Sequence, residues 1–281
     1  MSWTVLVLLW YFKLFLLGLI CLPLTYKIFG KVFSDSGYAF TKTISLIVLT
    51  YCMYVFGTLH ILPFTFTSLL LLSLIIALIQ WTAVKKQSEI LQIIQKSWKT
   101  ILFYEVVTLS ALVAWAYVRG QEPSLRGLEK FMDYGFMNAA VRSVYFPTHD
   151  IWLAGKSINY YYFGHLSGAT LSQLFQVPLS SGYNLILATI FALSITQTFS
   201  FAYTLIGRAF ASKKIAGIGA LLGTFIVNLG GNLHTIYLFT KGYEAEKPVP
   251  FWEVWSTYNP TAYWYPNATR FIPFTIHEFP L

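Results

Sequence analysis

Six stretches of about twenty consecutive apolar residues constrain this chain more than any other feature. They cover residues 3–22, 43–62, 64–84, 101–118, 185–205 and 216–238. A helix needs about 20 residues to cross a bilayer core of about 30 Å. Backbone amides in hydrocarbon must be satisfied internally, so such stretches fold as helices. Charged residues make up only 11% of the 281 positions, against about 25% in a soluble domain. That leaves too little polar surface for a water-exposed globule of this size. The expected fold is therefore all-α: a polytopic transmembrane helical protein of about six spans.

A seventh apolar window, residues 161–177, is shorter. It opens on aromatics and contains His165, Ser167, Ser172 and Gln173. It reads as a juxtamembrane or re-entrant helix, tolerable at membrane depth if it packs on protein. Loop cations then orient the chain, because Lys and Arg favour the cytoplasmic side. Lys27, Lys31 and Lys42 mark the first loop, and Lys85, Lys86, Lys96 and Lys99 the third. The loop between them carries no charge. The N-terminus, the external loop 119–184 and the tail 240–281 are thus expected outside, most simply at a cell membrane. The division expected is 1–84 as a three-span region, 85–100 as a cytoplasmic amphipathic connector, and 101–281 as the main membrane domain.

The net charge of +8 follows from these scattered loop cations. They form no single basic face, so no nucleic-acid partner is expected. The partner expected is the lipid bilayer. Cys21 and Cys52 fall inside spans and read as apolar filler.

The polar density sits in residues 128–164, which gather Glu129, Lys130, Asp133, Arg142, His149, Asp150 and Lys156. On a helix Glu129, Lys130 and Asp133 share a face. A partly desolvated Asp133 could serve as a general base, or help hold a divalent cation with His149 and Asp150 as further candidate ligands. A loop ion pair with Lys130 is the structural alternative. Asn159, Tyr160, Tyr161, Tyr162 and His165 could line a sugar or headgroup pocket, or form an interfacial aromatic belt. Arg142, Lys156 and Arg270 are the outer cations suited to a phosphate. Glu105 lies inside a span, near enough to its end to snorkel or to pair with Lys99.

Several of these motifs, in order, resemble the YYY family of large polytopic membrane proteins. They are Glu129-Lys130-Phe131-Met132-Asp133, Tyr145-Phe146-Pro147, Asp150-Ile151-Trp152, Ala154-Gly155 and Ile158-Asn159-Tyr160-Tyr161-Tyr162-Phe163-Gly164. Thr275-Ile276-His277-Glu278-Phe279-Pro280 resembles a later family motif that normally continues, so the chain is expected to be truncated at its C-terminus. The resemblance covers residues 101–281, and Phe131 departs from it where the family has proline. Its layout is similar to that of the C-type integral-membrane glycosyltransferases, including the protein mannosyltransferases and the aminoarabinose transferase. That likeness implies a core starting near residue 101, with Asp133 as the acidic residue of a first external loop and Glu129 beside it.

The function this implies is transfer of a sugar from a polyprenyl-phosphate donor at the outer face. The alternatives are a lipid or solute transporter and a non-enzymatic assembly protein.

Overall fold

The computed structural model describes residues 2–83, 87–121, 123–125 and 130–230. Among them the protein is helical, with a single isolated antiparallel bridge between His149 and Ser157. It is an all-α polytopic membrane protein. The chain divides into two contact units, Met1–Thr224 and Phe225–Leu281. Of the second, the described residues 225–230 carry the end of the last described helix.

Helix α1 (Trp3–Ile20) starts at Ser2, whose hydroxyl accepts from the Val5 amide. The short α2 (Leu22–Phe29) has Pro23 in its first turn, where an amide would lack a helical partner anyway. A single 3-10 turn, Tyr38–Phe40, leads into α3 (Thr41–Thr58). The buried Asp35 carboxylate shapes that turn by accepting from the Gly37 and Ala39 amides at 3.0 and 2.9 Å. Thr65 caps α4 (Phe66–Thr82) by accepting from the Ser68 amide. Then come α5 (Gln87–Gln121), α6 (Lys130–Arg142), α7 (Phe163–Phe175), α8 (Leu179–Phe210) and α9 (Lys213–Asn228).

Among the described residues four helical stretches are long and apolar enough to cross a membrane: Trp3–Ile20, Tyr38–Thr58, Ile90–Gln121 and Leu179–Phe210. The apolar α4 is shorter, at 17 residues. It exposes Leu71, Leu74 and Leu78, a face that lipid tails would cover. The sixth expected window coincides with α9 and then runs past the described residues. Residues 87–100 of the expected connector form the first part of α5, which runs on into the span.

Trp10, Leu14, Leu49, Met53, Leu69, Leu112 and Leu166 form the inner seam. Lipid is as apolar as these side chains, so their contacts stabilise by close packing more than by leaving water. Trp115 of α5 stacks on Phe191 of α8, with ring centroids 4.2 Å apart.

Two polar side chains expected near the bundle ends lie inside it. Lys42, assigned by sequence to the first loop, is buried in the first turn of α3 and ion-paired with Glu105 of α5. The expected Glu105–Lys99 pairing is thereby corrected. Lys42 lies behind the Asp35-capped turn and points inward, while Lys99 sits beside the Trp98 ring. Lys13, the lone charge in α1, donates to the Phe175 carbonyl at the C-terminus of α7. The helix dipole there favours a cation.

Helix α7 has 13 residues and a length of about 20 Å. It packs against α3, α4, α6 and α8. Gln176 turns the chain out of α7 in the left-handed region, and Pro178 precedes α8.

Loop contacts sort the two ends of the bundle. The Phe64 amide donates to the Val144 carbonyl at 2.8 Å, joining the α3–α4 turn to the segment after α6. At the other end Arg208 donates to the Lys31 and Val32 carbonyls, and the Ser34 amide donates to the Thr204 hydroxyl.

Candidate functional site

Helix α6 places Asp133 in its first turn, where the helix dipole favours a carboxylate. Across from it, α7 brings His165 and α8 brings Tyr183. The His165 Nε2 lies 3.7 Å from Asp133 Oδ1, an electrostatic contact beyond hydrogen-bond length. The Tyr183 hydroxyl donates a long bond of 3.4 Å to Asp133 Oδ2. Asp133 and His165 keep 30% and 22% of their side-chain surface open. The cluster is therefore reachable from one side and supported by protein on the other. Burial lowers the His165 pKa below its ordinary value, and the nearby Asp133 carboxylate opposes that shift.

Phe136, one turn after Asp133, is the buried pivot of this end. Its ring meets those of Trp152, Tyr160 and His165 at 5.7, 5.8 and 5.6 Å. Gly135 makes room for Ile151, since a Cβ there would lie 2.4 Å from the isoleucine Cδ1. One aromatic side chain thus ties α6, the following loop and α7 together.

The triple tyrosine diverges. Tyr160 and Tyr161 are exposed and stacked, with centroids 4.0 Å apart and hydroxyls 2.7 Å apart. Tyr162 turns inward and packs against the main core. Asn159 is exposed beside them, as are Arg142, His149 and Lys156.

The Asp150 carboxylate accepts from the Trp152 and Leu153 amides at 2.7 and 2.9 Å, so it shapes the loop. Among the described residues no three His, Cys, Asp or Glu side chains gather as a metal set. Asp133, His149 and Asp150 are therefore not brought together as the expected ligand group, because the loop turns Asp150 onto its own backbone. Lys130 reaches back to the Ser124 carbonyl at 3.1 Å. Glu129 and Arg270 lie outside the described residues.

Three polar residues that motif reading passed over belong to this end. Arg119, at the end of α5, donates through Nε and Nη2 to the Asn184 Oδ1 at 3.1 and 2.7 Å. Asn184 follows Tyr183 on α8. Arg119 and Asn184 line a cavity of about 480 Å³ whose other walls include Trp3, Leu6, Val7 and Leu185. The available signal was Arg119 standing at the end of an apolar window.

This arrangement of long apolar helices with one polar end, built around Asp133 and the tyrosines, can be set beside known families. The family described as uncharacterized membrane protein, DUF2298, matches residues 48–281. This chain belongs to the DUF2298 family. The DUF2298 match begins inside α3, upstream of the expected start near residue 101, so it takes in α4 and all of α5 as well. No curated protein and no solved structure matches the chain. The expected similarity to C-type glycosyltransferases thus has no counterpart among these matches. Within DUF2298, the site of this chain has to be read from its own residues.

Proposed function

We propose that this chain is an integral-membrane glycosyltransferase that takes a sugar from a polyprenyl-phosphate donor. One observation carries the reading. The carboxylate–imidazole–phenol cluster of Asp133, His165 and Tyr183 stands at the same helix end as the Arg119 cavity, whose walls are mainly apolar. A carboxylate base at the same helix end as a cation and a mainly apolar cavity suits attack of a hydroxyl on the sugar of a lipid-linked phosphate.

In this reading Asp133 accepts the proton of an acceptor hydroxyl. The acceptor oxygen bonds to the sugar anomeric carbon as the bond from that carbon to the phosphate oxygen breaks. The polyprenyl phosphate leaves with the electron pair, and Arg119 offsets its charge. His165, uncharged at neutral pH, keeps Asp133 from being locked in a strong ion pair. The exposed Tyr160, Tyr161 and Trp152 rings offer faces for a sugar, and Arg142 and Lys156 add positive potential at the rim. The loop-charge pattern supports putting this end on the outer face of a cell membrane.

The test is release of polyprenyl phosphate from a polyprenyl-phosphate hexose by the purified full chain in vesicles. Asp133→Asn should abolish release while leaving membrane insertion and melting temperature unchanged. Full release by that variant would overturn the reading.

A further inference from the structure

The opposite end of the same helix pair holds a second cavity, of about 750 Å³. Among the described residues its lining includes four cations, Lys31, Lys99, Arg208 and Lys213, and no carboxylate. Between them stand the rings of Phe103 and Tyr203. These residues come from four segments: the loop after α2, the α5 helix, the end of α8 and the start of α9. From Lys99 to Arg119 along α5 is about 30 Å, the thickness of a bilayer core. This cavity therefore sits at one membrane boundary while the Asp133 end sits at the other.

Like charges from four segments repel one another when they converge without a counter-ion. Arg208 spends part of its donor capacity on the Lys31 and Val32 carbonyls, which fixes the loop in place. The Lys31, Lys99 and Lys213 side chains are exposed at the mouth. Neighbouring Phe201, Leu205 and Phe210 expose apolar surface on α8, which a bilayer would cover. We propose that this cavity binds the headgroup of an anionic phospholipid from the leaflet at that end. The ammonium groups neutralise its phosphate, and its acyl chains run along the apolar face of α8. Basic pockets between transmembrane helices hold anionic headgroups by this chemistry. The aromatic and apolar walls, together with the boundary position, favour a lipid over a free phosphate ion.

The test uses the full chain, delipidated in detergent. Thermal stability is followed while phosphatidylglycerol, cardiolipin, phosphatidylcholine or inorganic phosphate is added. Phosphatidylglycerol or cardiolipin should raise the melting temperature, and phosphatidylcholine should not. The triple variant Lys31→Gln, Lys99→Gln, Lys213→Gln should bind the anionic lipid on the order of a hundredfold more weakly. Arg208 is kept because it holds the loop. If the triple variant fails to fold, Lys99→Gln and Lys213→Gln singly should each weaken binding several-fold. An equal shift with inorganic phosphate would identify a free anion as the ligand and overturn the proposal. No shift with either anionic lipid, or undiminished shifts in the folded variants, would overturn it as well.

Discussion

The Lys42 ammonium is bonded to the Glu105 carboxylate inside the helix bundle, with 5% and 11% of the two side chains exposed. The hydroxyls of Tyr11 and Tyr38 each donate to the same carboxylate at 2.6 Å. Three helical segments and the 3-10 turn are thereby joined at one charge. A buried pair of this kind fixes register more than it adds stability, because desolvation offsets most of the attraction.

Removing one partner strands the other. Lys42→Met should destabilise the protein by about 3–5 kcal/mol. Adding Glu105→Gln, which keeps an acceptor for the tyrosines, should recover most of that loss. Unfolding in detergent micelles measures both. Additive losses in the double variant would mean the two residues are not coupled.

His165 supplies a pH dependence whose sign follows from its depressed pKa. The unfolded chain binds the imidazole proton near the ordinary value of 6.5, while the folded chain binds it less readily. Stability from this group is therefore complete above that value and falls as pH drops through it. His165→Gln should flatten the acid limb of the stability profile. An unchanged limb in the variant would remove His165 from the account.

Gly57 and Phe146 form a second joint, between α3 and the segment after α6. A Cβ on Gly57 would stand 2.5 Å from the Phe146 ring, which is 1% exposed. Gly57→Val should cost about 1–3 kcal/mol by overpacking. Phe146→Ala should cost about 3–5 kcal/mol. Gly57→Val combined with Phe146→Ala should cost less than the sum, because the added methyls enter the vacated space. Proteolysis of the exposed loop around Trp152 should quicken in either single variant.

Sidedness can be read by labelling. In a background with Cys21 and Cys52 replaced by alanine, Tyr161→Cys and Leu59→Cys should react with an impermeant reagent from the same side. Lys31→Cys should react from the other. Labelling Leu59→Cys and Tyr161→Cys from opposite sides would contradict the Phe64–Val144 connection.

Helix positions were legible because apolar length is a local property. The windows at 43–62 and 64–84 fall on α3 and α4 to within four residues at each end. The window at 101–118 took in only half of α5, since the amphipathic stretch before it is too polar to read as part of a span. At the candidate site, Asp133 and the tyrosines stood out as polar groups in an apolar chain. Tyr183 and Asn184 did not, because one tyrosine and one asparagine at the start of a span look like an interfacial belt.

The sequence by itself determined that this is a membrane-spanning helical protein with one polar region, because segment length and charge content dictate that outcome without knowledge of neighbours. Only the tertiary structure decided which charges meet. Lys42 and Glu105 are 63 positions apart, and Asp133 meets Tyr183 across 50. Contacts at such separations depend on how helices pack against one another, and no local pattern encodes that packing.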